Sequence, residues 1–222
     1  MGCWLLDEKT FTRCCRLLLQ KSEQLRDGWS WEPVQGTEEG YLRKTTLKPS
    51  VLCSCSDLRK SGSDPELHDQ VSLDAACVPG ITGIDDEDDE DGSACRAPGC
   101  SQVLQYEYHV LYSCSYGTPV LYFRTSTLEG RSLSLEEVCN SVHPSFRTRL
   151  QLSPLNTITQ QEHPVLGQPF FMLHPCRTEE FMKPIVMEAH NQKRSMNYVV
   201  TWLSVVGPLV GLDVPLKYCS IP

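Results

Sequence analysis

The stretch that most restricts the fold runs from Gln105 to Ser126. Tyr106, Tyr108, Val110, Tyr112 and Cys114 alternate with Glu107, His109, Leu111 and Ser113. Alternation with a period of two, rich in aromatic and β-branched residues, marks a strand with two unlike faces. Ser115-Tyr116-Gly117-Thr118 reads as a turn, and Pro119 to Ser126 returns as a second strand. Proline suits the first residue of a strand, where its missing N–H removes no ladder bond. The two runs make a β-hairpin, and the other elements are arranged around it.

Before the hairpin, residues 8–26 read as a helix. Phe11, Cys14, Cys15, Leu18 and Leu25 recur near helical spacing, Asp7 serves as a cap, and Asp27-Gly28 ends the run. Trp29 and Trp31 open a short extended stretch and are read as core residues, with a second strand, Tyr41–Leu47, after Gly40. After the hairpin, Ser134 and Glu137 have the spacing of a capping box that opens a helix through about residue 142. Residues 155–173 are mixed, a polar run and then an apolar one, and only the apolar part is read as a buried strand or loop leading into Cys176. Phe181 and Ile185 predict a short helix next, with Pro184 near its first turn, and 196–206 predict the last helix. Sequential antiparallel strands flanked by helices make an α+β domain, with helices packed against an antiparallel sheet.

A chain of 222 residues is long enough for a sizeable core, and a single domain spanning 1–222 is the expectation. Residues 48–101 interrupt it. They hold 4 basic and 12 acidic residues, against 16 of each elsewhere, so the net charge of −8 belongs to this segment. It is rich in Ser, Gly, Pro and Asp, it carries Asp-Asp-Glu-Asp-Asp-Glu-Asp at 85–91, and it lacks apolar periodicity. Such a composition buries too little surface to offset its ordering entropy, which predicts a disordered insertion. The acidic balance also argues against nucleic acid as a partner, since that requires clustered Lys and Arg.

The twelve cysteines raise the question of disulfides. The N-terminus shows no basic start before a long apolar run, so no secretory signal is expected. No Asn-x-Ser/Thr site occurs, and the cysteines outside the acidic segment sit in apolar patterns, as free thiols do in a reducing cytoplasm. Cys53-x-Cys55 and Cys95-x4-Cys100 lack tetrahedral-site spacing and a histidine pair, so no metal is expected. Gly2-Cys3 and Cys219 to Pro222 are poor matches to acylation and prenylation signals. The apolar run 199–212 is too short to span a bilayer and is broken by Gly207-Pro208, so no stable membrane insertion is expected.

The chemistry points to His174-Pro175-Cys176-Arg177-Thr178. A nucleophilic cysteine reacts as thiolate, and unpaired N–H groups at a helix start favour that form. Cys176 stands just before the predicted start at Thr178. Arg177 adds to the effect, Glu179 and Glu180 oppose it, and Pro175 stiffens the loop. His174, two residues earlier, shares a face with the thiol if the segment is extended. It is then either a structural ring tying the loop or a proton-transferring group. His-Pro recurs at 143–144 and 163–164, so the dipeptide alone is no signature. There is no Gly-rich phosphate loop, Gly-x-Ser-x-Gly elbow or His-Glu-x-x-His. A thiol without a nucleotide site suits a substrate that arrives already activated. Two other readings are a cysteine hydrolase using Cys176 with His163 or His143 as base, and a non-enzymatic adaptor whose hairpin adds a strand to a partner's sheet.

Residues 106–124, 156–176 and 197–212 closely resemble the autophagy-related protein ten family, the ubiquitin-like conjugating enzymes of the autophagy-related protein twelve pathway. The likeness covers 102–217 well and 8–47 more loosely, and it leaves out 48–101. It implies a ubiquitin-conjugating-enzyme-like fold. It implies that Cys176 carries autophagy-related protein twelve as a thioester. The modifier would arrive from the activating enzyme, autophagy-related protein seven, and leave to a lysine of autophagy-related protein five. No cofactor is implied, because ATP is used by the upstream enzyme. Conjugating enzymes usually place an Asn amide near the cysteine to stabilise the oxyanion. Here His174-Pro175 runs straight into Cys176, and Asn156 is the candidate donor, with a turn residue after Pro154 as its other reading. Tyr112 is a weaker candidate, better read as core.

Overall fold

A computed structural model describes residues 6–37, 39–51, 101–141 and 158–218, all within one compact unit formed by Met1–Leu52 and Ser101–Pro222. In chain order these form α1 (Glu8–Leu25), β1 (Trp29–Pro33), β2 (Gly40–Val51), β3 (Ser101–Ser113), β4 (Thr118–Thr127), α2 (Leu135–Ser141), β5 (Ile158–Glu162), β6 (Pro169–Leu173), α3 (Thr178–Asn191) and α4 (Tyr198–Val206). The strands make one sheet in the order β1-β2-β3-β4-β6-β5, and every neighbouring pair is antiparallel. The architecture is α+β, as the sequence implies.

Several boundaries differ from the sequence-based expectation. The second strand does not stop at Leu47. Lys48, Pro49, Ser50 and Val51 pair with Leu104, Val103, Gln102 and Ser101. Those ladder bonds carry the β2–β3 pair four residues past the last apolar position of the expected strand. The rest of the acidic segment, with Cys53, Cys55, Cys95 and Cys100, lies outside the described residues. The apolar run does end in a buried strand, β6, and the polar run before it adds a strand that was not expected: Ile158 pairs with Leu173, and Glu162 with Pro169. β5 is polar because it is an edge strand, with its last three side chains exposed.

Strand alternation assigns the two faces of the sheet. Tyr106, Tyr108 and Val110 of β3, Leu121 and Phe123 of β4, and Phe171 and Leu173 of β6 form one buried cluster with Phe11, Cys14, Cys15 and Leu18 of α1 and Val199, Trp202 and Leu203 of α4. α1 starts as expected, with Asp7 accepting the Thr10 N–H at 2.7 Å. It ends at Arg26, in a left-handed conformation with φ of 54°. Trp31 lies so close over Gly40 that a Cβ there would sit 2.4 Å from the indole, which explains the glycine at the start of β2.

α4 is buried over most of its surface, with Ser204 and Val205 exposed, and Asn197 joins it to α1. The Asn197 Oδ1 accepts the Val200 N–H at 3.1 Å, capping α4, while its Nδ2 donates to the Cys14 carbonyl at 2.8 Å. Among the described residues no helix is long and apolar enough to cross a membrane.

Replacing Asn197 with Ala removes the cap and leaves the Cys14 carbonyl short of a donor. We expect Asn197→Ala to cost about 1–3 kcal/mol, seen as a lower urea midpoint with an unchanged slope.

Candidate functional site

β6 delivers the cysteine. Phe170 to Leu173 are all buried, so the strand is held from both sides up to its last residue. His174 is still extended (φ −65°, ψ 127°), and Pro175-Cys176-Arg177 then tighten into one 3-10 turn ahead of α3. Pro175 is buried and Cys176 is exposed. The thiol therefore stands on a rigid junction between a core strand and a helix, open to a macromolecular partner.

His174 organises that junction through the backbone. Its Nδ1 accepts the Cys176 N–H at 3.2 Å. In the neutral ring the proton is then on Nε2, 3.3 Å from the Tyr116 hydroxyl oxygen, and the two rings meet edge to face at 5.5 Å. His174 would share a face with the thiol only if the segment stayed extended through Cys176, and it does not. The chain has already turned, so the ring meets the peptide N–H of Cys176, and both ring nitrogens are engaged. Arg177 is drawn to Glu180, with contacts of 2.8 and 2.5 Å, so its charge is paired within the first turn of α3.

The turn bearing Tyr116 is itself fastened. Gly117 N–H donates to Ser113 O at 2.8 Å, and Leu6 N–H donates to Gly117 O at 3.0 Å. Tyr112 Oη donates to Leu6 O at 2.7 Å, and its ring packs on Phe11. Tyr112 thus ties the N-terminal segment to the β3–β4 turn, which agrees with its reading as a packing residue. A groove of about 350 Å³ opens beside the junction, lined among others by Tyr112, Cys114, Tyr116, Tyr122, Met172 and His174.

Asn156 and His143 lie outside the described residues. His163 does not serve the thiol: it is fully buried, and its ring is bonded to His109 and to the Val165 and Leu166 N–H groups. The hydrolase reading loses that candidate base.

A family model described as the active-site domain of autophagocytosis associated protein matches residues 10–217. The human protein named ubiquitin-like-conjugating enzyme ATG10 is 42% identical over 97% of this chain and 93% of its own length. The Arabidopsis thaliana protein of that name is 33% identical, covering 85% of this chain and 82% of the relative. A Vanderwaltozyma polyspora autophagy-related protein 3 is 24% identical over 72% of this chain and 44% of its own. The chain belongs to this autophagy conjugating-enzyme family. Members of a conjugating-enzyme family are transferases.

Tyr116 was missed by sequence reasoning. It stands in a turn, where a lone aromatic carries no periodic signal, and only the fold brings it to His174 from 58 residues away.

The site geometry also ranks the thiols. Among the described cysteines, Cys114 and Cys176 are exposed while Cys14 and Cys15 are buried, and burial pushes the Cys15 thiol far above its usual range. Brief alkylation at neutral pH followed by peptide mass spectrometry is expected to modify Cys114 and Cys176 well before Cys14 and Cys15, which stay unlabelled until the protein is unfolded.

Proposed function

We propose that Cys176 accepts a ubiquitin-like modifier as a thioester from an activating enzyme and passes it to a lysine of an acceptor protein. By the family resemblance, the modifier is autophagy-related protein twelve, the activating enzyme autophagy-related protein seven, and the acceptor autophagy-related protein five. The work is cytoplasmic and serves autophagosome formation. The observation that supports this best is the exposed thiol on a braced strand-to-helix junction.

The Cys176 thiolate attacks the thioester carbonyl on the activating enzyme, whose own thiol leaves. The lysine amine of the acceptor then adds to the same carbonyl. The tetrahedral oxyanion collapses to an amide, and the Cys176 thiol departs. Because the acyl group is already activated, both steps ask more for position and charge stabilisation than for a strong base. His174 supports the loop, since its Nδ1 lone pair is committed to the Cys176 N–H. Asn156 supplies the amide donor to the oxyanion. No cofactor takes part, and ATP is spent upstream.

In a reconstituted reaction with activating enzyme, modifier and ATP, the wild-type protein should form an adduct that disappears with added thiol. Cys176→Ser should form a slower, reductant-resistant oxyester. A thiol-sensitive adduct on Cys176→Ser would end the proposal. Asn156→Ala should still be charged while its discharge to the acceptor slows about a hundredfold, measured by single-turnover chase. Normal discharge would remove Asn156 from the mechanism.

A further inference from the structure

The sheet face away from the helices holds a second group of chemistry-bearing residues. Arg43 pairs across the ladder with His109, His109 with Tyr122, and Glu107 with Arg124. The β5–β6 turn covers them. Glu107, His109 and His163 are 5%, 1% and 0% exposed, far drier than polar strand residues usually are.

Their hydrogen bonds run in one direction. Val165 and Leu166 N–H donate to His163 Nδ1 at 3.3 and 3.2 Å. A nitrogen that accepts bonds carries no proton, so the neutral ring keeps its proton on Nε2. From there it donates to His109 Nδ1 at 3.0 Å, and His109 Nε2 donates to Glu107 Oε1 at 3.2 Å. Arg43 Nε and Arg124 Nε close the carboxylate end at 2.8 and 2.5 Å. The bond from His109, with the bond and charge of Arg124, holds Glu107 down at about 2. Two neutral imidazoles and one carboxylate satisfy the whole row.

The row fastens the β5–β6 hairpin, whose turn is also closed by His163 N–H to Gln168 O at 2.7 Å and Gly167 N–H to His163 O at 2.9 Å. β6 passes directly into His174 and Cys176. The hairpin that His163 fastens therefore leads straight into the thiol junction. We propose that His163 is a positioning residue for the transfer reaction, clamping this hairpin to the sheet while its ring is neutral and releasing the turn when mild acid protonates it. The effect on transfer rests on the Cys176 reading above; the clamp itself does not.

Protonation is incompatible with the closed turn because a proton on Nδ1 would face two N–H donors. The groups around the ring offer little compensation. Tyr41 from β2 and Tyr122 from β4 flank it at ring distances of 5.4 and 5.1 Å, and His109 of β3 already accepts its Nε2 proton. Glu107, the nearby carboxylate, is matched by Arg43 and Arg124. Burial first, then neighbouring His109, pushes His163 down from 6.5 to about 4. The closed turn thus excludes a proton that the open turn binds. The clamp is at full strength above about pH 6.5 and weakens as pH falls toward 4.

Hydrogen exchange on the full-length protein tests this. Corrected for intrinsic rates, the Val165, Leu166 and Gly167 amides should open about tenfold more at about pH 5.5 than at about pH 7.5. His163→Asn keeps an oxygen that can cap the same N–H groups, but it cannot titrate or reach His109. Its exchange should be faster at the higher pH and nearly flat between the two. The ratio of wild-type to H163N thioester discharge rates, in which the acceptor amine's own protonation cancels, should fall on acidification. Opening of the wild-type amides that ignores pH would overturn the clamp, and that arm needs no variant to fold. A constant discharge ratio would overturn the positioning role. A thioester found on a thiol other than Cys176 would leave the exchange result standing, so the two readings fail separately.

Discussion

Everything else in this protein leans on β3 being wet-compatible on neither of its faces. Its inner side, Tyr106, Tyr108 and Val110, is buried against α1 and α4, which supplies most of the hydrophobic driving force available to the sheet. Its outer side, Glu107 and His109, is buried as well, and that is tolerable only because each polar atom there is met by another. The strand is sealed from below by apolar contact and from above by a hydrogen-bonded row. A central strand held this way gives its neighbours fixed addresses: β4 carries the Tyr116 turn at one end, and β6 pairs with β4 through Leu121, Tyr122 and Phe123.

The thiol junction uses that rigidity. Cys176 is exposed, yet its backbone is tied through His174 to Tyr116, and the Tyr116 turn is tied to Leu6 at the start of α1. A reaction that hands an activated acyl group between proteins gains chiefly from holding the reacting atoms in place. Beside the cysteine in the chain, His174 is spent on holding the backbone, and the charge of Arg177 is paired with Glu180.

Much of the fold was legible in the sequence where one short segment carries both the signal and its cause. The β3–β4 hairpin showed its alternation and turn, α1 its Asp7 cap, and α4 its apolar sides. β5 was not legible, because Ile158 to Glu162 is an edge strand that buries little and shows no apolar period. The run Phe170 to Leu173 was ambiguous for the opposite reason: being buried on both faces, it has no period either. At the site, Cys176 stood out through Pro175 and the coming helix. The partner of His174 did not, since the 3-10 turn redirects the ring to a backbone N–H.

The sequence alone determined the two-faced hairpin, the helix ends, and a cysteine set between a proline and a helix, since all of these follow from backbone preferences and side-chain periodicity within a few residues. It also determined family membership, through the extent of its likeness to known conjugating enzymes. Only the tertiary structure decided that β6 lies between β4 and β5, that Tyr116 meets His174, and that Glu107, His109 and His163 share one dry row. In a strand, a glutamate and a histidine on the polar side look the same whether water or another strand will cover them. The cover, His163 and its turn, arrives 54 residues after His109, and burial and bonding partners are properties of pairs that only the folded chain brings together.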